Sequence, residues 1–109
     1  MFFEEKDKDL LKCKLIKSRM LPLTMEVTRE LYNQCRTNIT YEKVLRYVKI
    51  ISKYKRKKGM EDKSEKIAKS IVDFLNNNGI IESDEGYEDK YYFTTFGNNY
   101  MYYFMNGII

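Results

Sequence analysis

The chain has 109 residues, a net charge of +4, ten tyrosines, two cysteines and no histidine, a length that suits one domain with its own core. The lack of histidine excludes Ser/His/Asp and Cys/His nucleophile systems and removes the commonest metal ligand; with no glycine-rich phosphate loop or metal-ligand cluster, neither an enzyme nor a cofactor is expected. Cys13 and Cys35 make no CxxC pair, the charged opening "FFEEKDKDLLK" is unlike a signal peptide, and no apolar run approaches the roughly 20 residues of a membrane span, so a cytoplasmic protein without membrane contact is expected.

Residues 4–19 predict a first helix, with Leu10, Leu11, Cys13, Leu15 and Ile16 as a loose apolar face. Its acidic start and basic end suit the helix dipole. Pro22 breaks the chain, and Thr24 is placed to cap a second helix in which Val27, Leu31 and Cys35 recur every four residues. "TNI" reads as a short turn. Thr40 then caps a third helix with Tyr41, Val44, Leu45, Val48 and Ile51 at near-ideal 3.6 spacing. After the charged loop "KRKKGMED", Asp62 or Ser64 is expected to cap a fourth helix that buries Ile67, Ala68, Ile71, Phe74 and Leu75. Gly79 stands where a helix C-terminus needs a left-handed residue. "GIIES" and "DKYYFTT" predict two short strands around "DEGYE", and Thr94 or Thr95 caps a last helix.

Charge is unevenly spread along this order. Arg36 to Lys69 holds twelve basic residues against Glu42, Glu61, Asp62 and Glu65, a local net charge of +8, which leaves −4 for the rest of the chain. Lys43, Arg46, Lys49 and Lys53 belong to the third helix, the last three opposite its apolar stripe. Lys63, Lys66, Lys69 and Ser70 do the same on the fourth, and Lys55, Arg56, Lys57 and Lys58 lie between. A polarised basic surface of this kind suits duplex phosphates, through salt-sensitive counterion release.

"SEKIAKSIVDFLNNNGIIES" followed by "KYYFTTFG" resembles the second half of a winged helix-turn-helix domain, over residues 40–97. The resemblance rests on Leu75, three asparagines, Gly79, Ile80 and Ile81, and on Tyr91, Tyr92, Phe93, Thr94, Thr95 and Gly97. With the elements read above, it implies a single, mainly α winged-helix domain over 1–109 with a small β-hairpin: a helical core and wing over 24–95, with an extra N-terminal helix over 1–20 and an extra C-terminal helix over 96–109. It further implies that helix 64–78 is the recognition helix, with Lys63, Ser64, Lys66, Lys69 and Ser70 toward DNA. This chain departs from the pattern in a longer loop before that helix and in an acidic wing tip. Glu82, Asp84, Glu85, Glu88 and Asp89 there face only Lys90, and phosphates would repel them. The tip also lacks the spacing of a calcium loop.

The last helix is apolar all round, with Phe96, Tyr100, Met101, Tyr102, Tyr103, Phe104 and Met105 on every side. One face is expected to meet a second subunit through Phe96, Tyr100, Tyr103 and Phe104, giving a homodimer. The alternative is packing against the N-terminal helix of the same chain. The expected function is double-stranded DNA binding, sequence-specific or general, as in a transcriptional regulator. The rival is a protein-interaction module on the same scaffold, with the acidic wing and aromatic C-terminus as its working surfaces.

Overall fold

Each helix in this chain forms where its apolar residues can share one side, and the strands form where β-branched and aromatic residues alternate. The computed structural model describes residues 5–53, 63–87 and 89–109, the side chains of 5–7 and 53 excepted. The order is α1 (Glu5–Arg19), α2 (Pro22–Gln34), β1 (Ile39–Thr40), α3 (Tyr41–Lys53), α4 (Ser64–Asn77), β2 (Ile81–Ser83), β3 (Lys90–Phe93) and α5 (Thr95–Met105). The fold is mainly helical with a small antiparallel sheet of strand order β1-β3-β2. None of the described helices is long and apolar enough to cross a membrane.

The sheet has a third strand where a turn was expected. Ile39 pairs with Tyr91 and Thr40 with Lys90, while Ile81 pairs with Phe93 and Glu82 with Tyr92. Period-2 alternation therefore puts Ile39, Ile81 and Phe93 on the buried side. Glu82 and Tyr92 stand on the other, where the Tyr92 hydroxyl donates to the Glu82 carboxylate at 3.0 Å.

Two helix starts differ from expectation. Pro22 does not precede α2 but opens it, in the first-turn position where its missing N–H costs nothing. Leu21 is the extended N-cap, and Thr24 lies buried inside the helix, its carbonyl accepting the Thr28 hydroxyl at 2.6 Å. On α4 the N-cap is Lys63 rather than Ser64, which is the first helical residue, and Asp62 lies outside the described residues. Thr40 caps as expected, and of Thr94 and Thr95 it is Thr94 that caps α5; their hydroxyls accept from the backbone N–H groups of Lys43 (3.2 Å) and Gly97 (2.9 Å). Gly79, at φ +73, ends α4 in a Schellman turn, with Ile80 N–H donating to Leu75 at 3.0 Å.

The core draws on every helix and strand: Cys13 and Ile16, Val27 and Leu31, Ile39, Val44 and Val48, Ala68, Ile71, Val72 and Leu75, Ile80, Ile81, Phe93, and Tyr100 with Met101. α3 packs between α2 and α4, and α1 packs on α5. The first helix turns inward through Cys13 and Ile16, with Leu11 and Leu15 pointing away from the core.

Tyr100 is fully buried at the α1–α5 contact, its hydroxyl 3.7 Å from both Met20 Sδ and Met25 Sδ. Burial, with the nearby Cys13 thiol, pushes its phenol up to about 12. Burial and then Asp9 push Cys13 up to about 11. The folded protein thus holds both protons after the unfolded chain has released them. Their contribution to stability is complete below about pH 8 and is lost as pH rises, first for Cys13 from about 9 to 11 and then for Tyr100 from about 10 to 12, by about 2–3 kcal/mol per group at most. The urea midpoint is expected to fall between pH 8 and pH 11, and to fall less in Tyr100→Phe; equal falls in the two proteins would contradict this assignment.

Candidate nucleic-acid interface

The amphipathic pattern of α4 decides what this helix shows to solvent. Ala68, Ile71, Val72 and Leu75 face the core, so Glu65, Lys66, Lys69, Ser70, Asp73, Asn76 and Asn77 are left on the outside. Lys63 is exposed at the N-cap. Ser64 is not on this surface: it is 3% exposed, turned into the fold by its place at the first helical residue.

Charge counting does not place Asp73, Asn76 and Asn77 on this face, although the 3.6 spacing that turns Lys66 and Lys69 outward also turns them outward. The face is therefore mixed rather than uniformly basic. Its lysines occupy the first half of the helix and its amides the last turn.

On α3, Arg46 and Lys49 are exposed beside Glu42 and Ile50. Lys43 is not a free cation: it is half-buried, and its ammonium donates to the Asn38 carbonyl at 2.8 Å. This bond closes the turn that leads into β1. Arg36, part of the same basic stretch, stacks its guanidinium 3.9 Å from the Tyr32 ring centre and donates to the Tyr32 carbonyl at 2.9 Å. The side chain of Lys53, and all of Lys55, Arg56, Lys57 and Lys58, lie outside the described residues.

Three shallow depressions join α3, the hairpin and α4. One lies along Glu42, Leu45, Arg46, Lys49 and Ile50. The next shares Glu42 and adds Thr40, Tyr41, Asp89 and Lys90. The last shares Tyr41 and Asp89 and reaches Lys69, Val72, Asp73 and Tyr91, with a volume of about 280 Å³. Tyr41 bridges the helices directly, its hydroxyl donating to the Glu65 carbonyl at 3.2 Å. The linings of the three depressions thus overlap in turn, from Lys49 of α3, by way of Asp89 and Lys90 at the turn end of the hairpin, to Lys69 and Asp73 of α4.

The hairpin is acidic at its tip. Glu82, Glu85 and Asp89 are exposed, Asp84 is half-buried, and Glu88 lies outside the described residues. The one lysine of this segment, Lys90, sets its ammonium 4.6 Å above the Tyr87 ring. Gly86 at φ +87 and Asp89 at φ +62 carry the chain round the turn.

The aromatic C-terminal helix is used within the chain. Tyr100, expected at a subunit contact, is wholly buried against α1 and α2. The reason is that α5 has a partner of its own in α1. Phe96 and Phe104 are half-buried under Lys12 (4.3 Å) and Lys17 (5.7 Å) of that helix. Tyr103 is half-buried, edge-on to Tyr102.

Comparisons with protein-family models, with curated proteins and with solved structures find no match.

Proposed function

We propose that this chain is a winged helix-turn-helix protein that binds double-stranded DNA, as a transcriptional regulator does, with α4 as its reading helix. The observation that carries the reading is the solvent face of α4: Lys63, Lys66 and Lys69, then Ser70, then Asn76 and Asn77. Lysines along the early turns match phosphates at the groove edge, and amide side chains are base readers, since Asn can pair with adenine through two hydrogen bonds. Asp73 between them can accept from a cytosine amine.

The surroundings of α4 support the same reading. The helix is the second of a packed pair and runs straight into a two-stranded hairpin, with β1 tying the start of α3 to that hairpin. Arg46 and Lys49 extend the positive surface onto α3. The acidic tip is turned to another use or held off the phosphates, since like charges there weaken contact.

The test is a fluorescence-anisotropy titration of a labelled duplex across a salt series. Affinity is expected to fall linearly on a log–log scale, with a slope near −0.9 for each phosphate engaged. Absence of duplex binding at low salt, together with tight capture of a basic protein, would favour the interaction-module reading instead.

A further inference from the structure

α1 is apolar on two sides. Cys13 and Ile16 are buried on the side that packs on α5, while Leu11 is 52% and Leu15 58% exposed, one turn apart on the far side. A surface helix with one partner needs one apolar stripe, and a second stripe calls for a second partner. The outer stripe is framed by positive charge. From Lys8 to Arg19 the helix carries Lys8, Lys12, Lys14, Lys17 and Arg19, all exposed. Asp9, the one acid of that stretch, is half-buried on the side of the helix that carries Cys13.

The register says what kind of partner fits. In a heptad with Leu11 and Leu15 at the two seam positions, Lys8 and Ser18 take the next seam positions on either side, and Cys13 and Ile16 fall on the back of the helix, where they are buried. Ser18 can sit in a seam because its hydroxyl donates to the Leu15 carbonyl at 2.6 Å. The positions flanking the seam are then Lys12, Lys14 and Arg19. Flanking charges choose the partner of a helix pair. A second α1 would set these bases against the same bases in either orientation. A helix with leucines in its seam and glutamate or aspartate beside them matches both the apolar pair and its basic frame. The stripe is also narrow for a helix lying in a lipid surface, which needs a broad apolar face to sink among the headgroups.

We infer that the outer face of α1 docks an acidic amphipathic helix of a partner protein, with Leu11 and Leu15 in the seam and Lys14 and Arg19 pairing with the partner's carboxylates. Lys12, whose ammonium rests 4.3 Å from the centre of the Phe96 ring, adds to the positive field beside the seam. The contact belongs to α1 and not to α4, so it does not rest on the DNA-binding reading and is tested without DNA. A short helix pair buries less than the roughly 1,200 Å² of a standard interface, so the dissociation constant is expected at about 10–500 µM, weakening as salt rises.

The test is an amide NMR titration of the full chain with two synthetic peptides of about three heptads. The peptides share a leucine seam and differ only in carrying glutamate or lysine at every flanking position. The glutamate peptide is expected to shift the amides around Leu11 and Leu15, and the lysine peptide to bind there at least about tenfold more weakly. Lys14→Glu with Arg19→Glu is expected to reverse that preference, because acids then frame the seam. Leu11→Gln with Leu15→Gln is expected to abolish the α1 shifts and leave the helical circular dichroism intact, since both leucines are exposed. Vesicles of anionic phospholipid are expected to leave the α1 amides unmoved. Several results overturn the inference: no α1 shifts with the glutamate peptide up to about 1 mM, equal binding of the two peptides, or an unchanged preference in the charge-reversed chain. Shifts confined to Lys66 and Lys69 of α4 overturn it too, since the peptide would then be following positive charge alone. Shifts of Leu11 and Leu15 on anionic vesicles overturn it in favour of a lipid surface.

Discussion

Gly97→Ala is expected to lower the melting temperature by roughly 10–20 °C, the largest loss of any glycine-to-alanine change among the described residues. Gly97 is the third residue of α5, buried against Ile80 in the turn between α4 and β2. A Cβ there would stand 2.0 Å from the Ile80 carbonyl oxygen and 2.9 Å from its carbon. Neither atom is free to yield. The Ile80 oxygen already accepts the Thr94 N–H at 3.0 Å and lies 3.3 Å from the Thr94 hydroxyl, which also donates to the Gly79 carbonyl. Moving α5 outward would break this cap and open the contact that buries Tyr100 and Met101. The cost is about 3 kcal/mol or more, at the upper end of overpacking penalties. Gly79→Ala makes the comparison sharp. Gly79 has φ +73 but open space around a Cβ, so only the left-handed backbone is penalised, by about 1–2 kcal/mol. Thermal melts of the two variants side by side are expected to rank Gly97→Ala as the more damaging. The reverse ranking would mean that α5 does not approach Ile80 this closely.

The triple change of Lys63, Lys66 and Lys69 to Ala is expected to weaken duplex binding by about 10–100-fold at fixed low salt. The log–log salt slope should become shallower by about one for each lysine that met a phosphate. All three side chains are exposed, so the melting temperature should hardly move, because surface substitutions of this kind usually stay within about ±0.5 kcal/mol. That separation matters: lost binding with an unchanged melt assigns the lysines to the ligand and not to the fold. Ser64 would behave in the opposite way. It is buried at the head of α4, so replacing it reports on helix packing even though it sits between two of the lysines in sequence. An unchanged affinity in the triple variant would remove α4 from the interface.

The middle of the fold was legible because its helices each have one apolar side. α3 and α4 repeat Val44–Val48 and Ala68–Ile71–Leu75 at helical spacing, with charge opposite, and a helix so patterned has one way to lie on a core. Gly79 is readable for a local reason, a left-handed stop, while an N-cap hydroxyl narrows the start of α5 only to Thr94 or Thr95. β1 was not, because two residues carry no period; Ile39 and Thr40 become a strand only when β3 offers its edge. Pro22 reads as a breaker in sequence but opens α2, since a proline at this position fits either role.

The terminal helices were the hardest to place. Leu10, Leu11, Leu15 and Ile16 give α1 apolar residues on both sides, and only docking against Phe96, Tyr100 and Phe104 selects Cys13 and Ile16 as the inner pair. The candidate interface was half legible for a similar reason. Counting charge found Lys66 and Lys69, and it also counted Lys43 and Arg36, whose side chains are engaged by the Asn38 carbonyl and the Tyr32 ring. Net charge in a stretch of chain says how many cations are present, and tertiary contacts decide which of them a phosphate can reach.

The most direct measurement is an amide NMR titration of the full chain with a short duplex at low salt. The account predicts that the largest shifts fall on Lys63, Lys66, Lys69, Ser70, Asp73, Asn76 and Asn77 of α4, with smaller ones at Arg46 and Lys49. Glu85, Gly86 and Tyr87 at the hairpin tip should be unmoved, as should Leu11 and Leu15 on α1. Shifts concentrated on the hairpin tip, or a spectrum unchanged by saturating duplex, would contradict it.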